Sequence, residues 1–198
     1  VPKKLFTYAA DYAGDFEDAE AYGWDVGARD FHWTRLISNK DSEITRLNGI
    51  YGRLIDEAGV NLIRGRATLT GPNSVTVKDD ETTTKYTAKY ILVATGGHPV
   101  VPKFPGNEHV ITSDEAFHLE ALPQRMVVVG GGYIAVEFAG IFHALGVEVT
   151  QLYRGPLFLR GFDHDLREVL AVEMRKQGVD LRFESCVAAI EKQGDVYV

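Results

Sequence analysis

Residues 125–160 read RMVVVGGGYIAVEFAGIFHALGVEVTQLYRGPLFLR, and this stretch decides the fold. It parses as strand, glycine turn, helix, strand. Met126, Val127, Val128 and Val129 form a short apolar run of the kind a strand buried on both faces requires. Gly130, Gly132 and Ala135 then supply G-x-G-x-x-A. The first glycine of such a turn permits a sharp reversal, the second lets backbone approach a pyrophosphate, and the small third residue lets helix pack on strand. The spacing predicts a helix over 133–145, with its free N–H groups facing that pyrophosphate. Gly146 then caps the helix, and residues 147–153 form the returning strand. In NAD-binding units of this kind an acidic side chain ends the second strand and binds the ribose hydroxyls. Here Tyr153 holds that place, Arg154 follows it, and Arg160 lies further along. Guanidinium groups suit a 2′-phosphate and a carboxylate does not, so the reading is NADP(H) rather than NAD(H). The competing reading is a structural βαβ unit with solvated arginines, because the glycine pattern alone is weakly specific.

The rest of the composition narrows the class. The chain has 198 residues, 45% hydrophobic and 25% charged, which suits a soluble globular protein of one domain or two small ones. A formal net charge of −7 and a pI of about 5.4 leave no basic footprint for nucleic acid or an anionic membrane. The single cysteine, Cys186, excludes a disulfide within the chain and fits a reducing, cytoplasmic compartment. Its apolar neighbours predict a packed thiol. No apolar run approaches the roughly 20 residues that span a bilayer, and no secretory signal is visible. The histidines show no ligand spacing, so no metal is expected.

Outward from the central stretch, residues 5–13 are helix-like and an acidic segment, 15–20, follows. Apolar positions from Trp33 to Ala58 keep helical spacing and predict one long amphipathic helix ending near Gly59. Short β segments are expected at 61–63, 65–69, 74–77, 84–87 and 90–93, with turns at Gly71-Pro72-Asn73 and Asp79-Asp80. Pro99, Pro102 and Pro105 make a stiff connection that cannot be helix interior. Ser113 reads as the N-cap of a short helix, residues 163–176 as a helix capped at Gly178, and 180–184 and 187–191 as strands. The chain opens Val-Pro-Lys-Lys without an initiator methionine and stops in a strand-like Val-Tyr-Val, so an internal piece of a longer protein is expected.

Three motifs agree in order: Val1-Pro2-Lys3-Lys4, Ile91-Leu92-Val93-Ala94-Thr95-Gly96-Gly97, and the glycine turn through Glu137 with Arg154 and Arg160. Together they resemble the FAD-dependent pyridine nucleotide–disulfide oxidoreductases over essentially the whole chain. Within that family Leu159-Arg160-Gly161-Phe162-Asp163 is similar to the glutathione reductase branch. The resemblance implies an α/β fold: a partial FAD-binding domain over 1–112, with a long helix and a β meander, then a partial Rossmann-type NADP(H)-binding domain over 113–198. It implies that Lys3 sits beside the flavin and that Glu137 pairs with it. Ala67, Thr95 and Gly96 become FAD contacts. Gly130, Gly131, Gly132, Ile134, Ala135 and Glu137 become NADP(H) contacts, with Arg154 and Arg160 as a 2′-phosphate clamp. Tyr51 is placed over the disulfide substrate, glutathione disulfide. From the residues alone Tyr51, on the apolar side of its helix, reads first as a core tyrosine, and Glu137 is equally open as half of a structural pair. The family's redox cysteines are missing, so the chain is expected to be inactive alone, the whole enzyme being a homodimer. Mercuric or trypanothione reductase, or a non-catalytic nucleotide-binding module, are the alternatives. An incomplete FAD-binding portion is also expected to leave an open apolar face.

Overall fold

The structure is a computed structural model, and it describes residues 1–194 and 196–198. It divides into two compact units, Val1–Ser42 with Pro99–Val198, and Glu43–His98. Helix α1 spans Pro2–Ala21 and begins on a proline, whose missing N–H is no loss at the first helical position. The helix-like stretch expected over 5–13 runs on through the acidic segment 15–20, because its Glu and Ala residues are good helix formers and no breaker interrupts them. Helix α2, Trp33–Glu57, matches the predicted long helix. Its buried residues are Trp33 and Lys40, and the latter reaches the Asp41 carboxylate at 2.5 Å.

The unit Glu43–His98 holds the end of α2 and an antiparallel meander. Strands β1 (Arg66–Gly71), β2 (Ser74–Lys78) and β3 (Thr83–Thr87) are arranged in chain order. Both turns are tied by side chains. Asn73 Nδ2 donates to the carbonyls of Ala88 and Lys89, at 2.9 and 3.0 Å. Asp79 accepts from the Thr82 and Glu81 N–H groups, which holds its carboxyl below the usual range. The strands expected at 61–63 and 90–93 are absent. Apolar β-formers there have no neighbouring strand to complete a ladder, and Leu62, Leu92 and Val93 are exposed. Exposed apolar side chains of this kind accord with the incomplete FAD-binding portion that the resemblance implies.

The larger unit carries the core. Helix α3 is Ser113–Ala116, and its N-cap is Thr112 rather than Ser113, because Glu115 lies three residues past Thr112 and closes a capping box. Strand β4 (Arg125–Val129), helix α4 (Tyr133–Ala144) and strand β5 (Glu148–Leu152) form the predicted strand–helix–strand. Helix α5 (His164–Gln177) leads through Gly178 to strand β6 (Asp180–Arg182). The sheet is parallel with order β4-β5-β6, Arg125 opposite Glu148 and Thr150 opposite Asp180. β4 departs from the expectation of burial on both faces: Met126 and Val128 are half-buried, whereas Val127 and Val129 are 60% and 59% exposed. The segment 187–191 is not a strand. A short hairpin follows it, β7 (Lys192–Gln193) with β8 (Val196–Tyr197), and Cys186 is exposed rather than packed.

An aromatic cluster joins α1 and α2 to α4. Phe6 is fully buried, its ring 5.2 Å from Trp33 and 5.4 Å from Phe117; Phe117 in turn lies 5.2 Å from Phe138. Trp33 Nε1 donates to the Leu119 carbonyl at 2.7 Å, so the indole is buried with its polar group satisfied. Among the described residues, no helix is long and apolar enough to cross a membrane.

Candidate functional site

The glycine turn lies between β4 and α4. Gly130 N–H donates to the Leu152 carbonyl at 2.9 Å, and its φ of 148° is one that side chains rarely adopt. A Cβ at Gly130 would stand 3.1 Å from that of Ala135, so the small residues at these two positions do touch as their spacing implies. Gly132 is the N-cap of α4 and offers no side chain to its first N–H groups. A Cβ placed on Gly132 would meet nothing within 4 Å, so the helix N-terminus opens onto free space. Unpaired donors and a positive dipole end are thus available to an anion. Beneath the turn, Gln151 is 1% exposed and donates Nε2–H to the Gly130 carbonyl at 3.0 Å. Our reading of the sequence missed Gln151; its signal was an amide two residues past Val149, at the inward register of an alternating strand.

Beyond β5 the chain bends around Tyr153. A Cβ on Gly131 would come within 2.6 Å of the Tyr153 ring, and one on Gly155 within 2.7 Å, so both glycines are needed for the ring to pack. Arg154 and Arg160 are exposed, and among the described residues neither is held in an ion pair. Between them Phe158 is fully buried, its ring 5.5 Å from Phe183 and perpendicular to it.

On the second turn of α4, Glu137 accepts from Lys3 Nζ at 2.5 Å, although 134 positions separate them. The two side chains are 39% and 35% exposed. The Lys3 ammonium also lies 5.9 Å from the Tyr133 ring centre, within reach of a cation–π attraction. The packing of α1 on α4 creates this pair, and a carboxylate in an otherwise apolar helix gains the partner it needs. Ile134, one residue into α4, is 44% exposed beside the open turn.

The unit Glu43–His98 holds the remaining sequence-identified residues. Tyr51 is 54% exposed, so it is not a core tyrosine. Ala67 sits in β1 opposite Val77, exposed. Thr95 and Gly96 lie exposed in irregular chain after the meander, Gly96 at φ 72°. Elsewhere, His164, Asp165 and Glu168 bring ligand-type atoms within 4.8 Å of one another at the start of α5. All three are exposed, as polar residues on a first helical turn ordinarily are.

A parallel strand–glycine turn–helix–strand with an open helix N-terminus and two exposed arginines past the second strand defines a dinucleotide-binding α/β protein. The chain belongs to the pyridine nucleotide–disulphide oxidoreductase family, whose sequence pattern matches residues 1–198. It is 51% identical over 193 residues to the glutathione reductase of Burkholderia cepacia, covering 98% of this chain and 42% of that protein. It is 36% identical over 206 residues to the trypanothione reductase of Trypanosoma congolense, again covering 98% of this chain and 42% of the other. Among solved structures, the HOCl-induced flavoprotein disulfide reductase RclA from Escherichia coli superposes with a TM-score of 0.81 at 27% identity. That match covers 99% of this chain and 41% of RclA. The chain therefore spans about two fifths of the length of the relatives it matches.

Proposed function

We propose that this chain carries the NADP(H)-selective site and part of the FAD shell of a glutathione-type disulfide reductase. The observation that carries the proposal is the pair of exposed guanidinium groups, Arg154 and Arg160, without an ion pair among the described residues, past a strand that ends in Tyr153 instead of an acid. When bound, NADPH supplies a hydride and FAD passes the electrons on to a disulfide. The chain's own residues bind and orient. Gly130, Gly131, Gly132 and Ala135 admit the pyrophosphate to the α4 N-terminus, Ile134 flanks it, and the arginines grip the 2′-phosphate. Lys3, held by Glu137, keeps a cation beside the flavin. Ala67, Thr95 and Gly96 contact FAD, and Tyr51 faces glutathione disulfide. The sequence holds one cysteine and so no redox pair, and the chain alone does not reduce a disulfide. The whole enzyme works as a homodimer in a reducing, cytoplasmic setting. The greater identity to a glutathione reductase than to a trypanothione reductase, 51% against 36%, favours glutathione disulfide over its relatives as substrate.

Titrating NADP+ and NAD+ tests the reading. Each charge-assisted phosphate contact is worth roughly 1.5–3 kcal/mol, so the pair should give a preference of tens-fold for NADP+ even after screening. Arg154→Ala/Arg160→Ala should abolish that preference while leaving NAD+ binding in place. Equal affinities in the wild-type chain would sink the assignment.

A further inference from the structure

We infer that Arg167, on α5, is a positioning residue for nucleotide selectivity: it holds the loop that presents Arg160. The inference rests on the NADP(H) reading above and deepens it. Arg167 Nε donates to the Phe158 carbonyl at 2.6 Å and its Nη2 to the Leu157 carbonyl at 2.7 Å. The planar fork of a guanidinium is thus spent on two successive backbone carbonyls, and among the described residues Arg167 makes no ion pair. A lysine could not reproduce this geometry, because an ammonium is a point charge without a rigid fork.

The gripped residues need the grip. Leu159 has φ 54°, a left-handed conformation unfavourable for a leucine, and it directly precedes Arg160. Two further contacts fix the same loop: the Leu159 N–H donates to the Gly131 carbonyl at 2.6 Å, and Phe158 is fully buried. The first of these ties the arginine loop directly to the glycine turn, so one framework sets where a pyrophosphate and a 2′-phosphate would lie relative to each other. Without Arg167 the carbonyls of 157 and 158 lose their donors and Leu159 is free to leave the left-handed region. Arg160 then moves away from the position set by Gly131. The glycine turn itself is held independently by Gln151 and by the Leu152 carbonyl. Loss of Arg167 should therefore weaken recognition of the 2′-phosphate and spare the rest of the nucleotide.

The experiment measures NADP+ and NAD+ affinities by calorimetry for the 198-residue chain and its Arg167→Met and Arg167→Lys variants. Amide exchange at Leu159 is followed in each. Arg167→Met should weaken NADP+ binding about tenfold, the loss of most of one charge-assisted phosphate contact, with NAD+ affinity unchanged. Arg167→Lys should recover only part of the loss, and the Leu159 amide should exchange faster in both. Added to Arg160→Ala, Arg167→Met should produce little further change, since the two act through one contact. A folded Arg167→Met chain with the wild-type ratio of NADP+ to NAD+ affinity would overturn the inference. So would an equal loss of both nucleotides, which marks a purely structural role. Should the methionine variant fail to fold, an unchanged ratio in Arg167→Lys overturns it equally. A wild-type chain with no preference removes the NADP(H) reading and this inference together, whereas a wild-type preference that survives in the variants removes this inference alone.

Discussion

Glu137 sits on α4 among Val136, Phe138, Ile141 and Phe142, all buried, and its carboxylate reaches Lys3 across the α1–α4 contact. Both partners remain about a third exposed, so water screens the attraction and the pair adds little to stability. A double-mutant cycle with Lys3→Met and Glu137→Gln, read by urea unfolding, should return a coupling of about 1 kcal/mol or less. A coupling several times larger would mean that the pair is shielded more than its exposure implies. Gly131 has a different constraint. Its α-carbon faces the Tyr153 ring so closely that an added methyl would lie 2.6 Å from ring carbons. Gly131→Ala should therefore destabilise the chain by about 1–3 kcal/mol and weaken dinucleotide binding. Truncating the ring in Gly131→Ala/Tyr153→Ala should give back part of the lost stability, and strict additivity of the two losses would refute the packing argument.

Among the elements, α3 is the most dependent on its end. Its capping box has the Thr112 hydroxyl accepting from the Asp114 N–H at 3.2 Å, while the Glu115 carboxylate accepts from the Thr112 N–H at 2.7 Å and from the Thr112 hydroxyl at 2.6 Å. The Thr112 hydroxyl, followed by backbone N–H groups, holds the Glu115 carboxyl below its ordinary value of 4.5. A carboxyl whose folded value is depressed contributes its stabilisation in full above the unfolded value and loses it as pH falls through the folded one. The protection of the Thr112 amide against exchange, corrected for the intrinsic rate, should therefore be constant near neutrality and fall below about pH 4.5. In Glu115→Gln the acid-side fall should vanish. A fall that persists in that variant would assign it to another group.

Across the whole molecule, stability is unevenly distributed. Every buried apolar side chain of the core belongs to Val1–Ser42 with Pro99–Val198, whereas Ser74 is the buried residue of Glu43–His98. A meander with so little burial opens more readily than a sheet covered by a helix. Native-state hydrogen exchange should find β1–β3 less protected than β4 and β5, and denaturant should unfold Glu43–His98 before the aromatic cluster around Phe6. A single transition with uniform protection would contradict this.

Local order was legible in the sequence wherever a short-range rule governs it. The glycine turn, the contact of Gly130 with Ala135, the span of α2 and the pairing of β1–β3 follow from backbone geometry, periodicity and turn chemistry within a few residues. Helical spacing could not tell which apolar positions would be covered. Tyr51 and Leu54 keep the period yet are exposed, because burial depends on what packs against a face. For the same reason residues 61–63 and 90–93 have β-forming side chains and no ladder. The pairing of Lys3 with Glu137 was expected from resemblance, since no local rule links positions so far apart, and the packing of α1 on α4 produces it. Gln151 beneath the turn, the Tyr153 ring between two glycines and the Arg167 fork on the arginine loop became visible only in three dimensions. The residue types along the chain supply the available chemistry, namely a glycine turn, two arginines and one ion-pair candidate. The tertiary structure alone decided which groups hold that chemistry in position, because such contacts are set by how helices pack on a sheet and not by the order of residues along the chain.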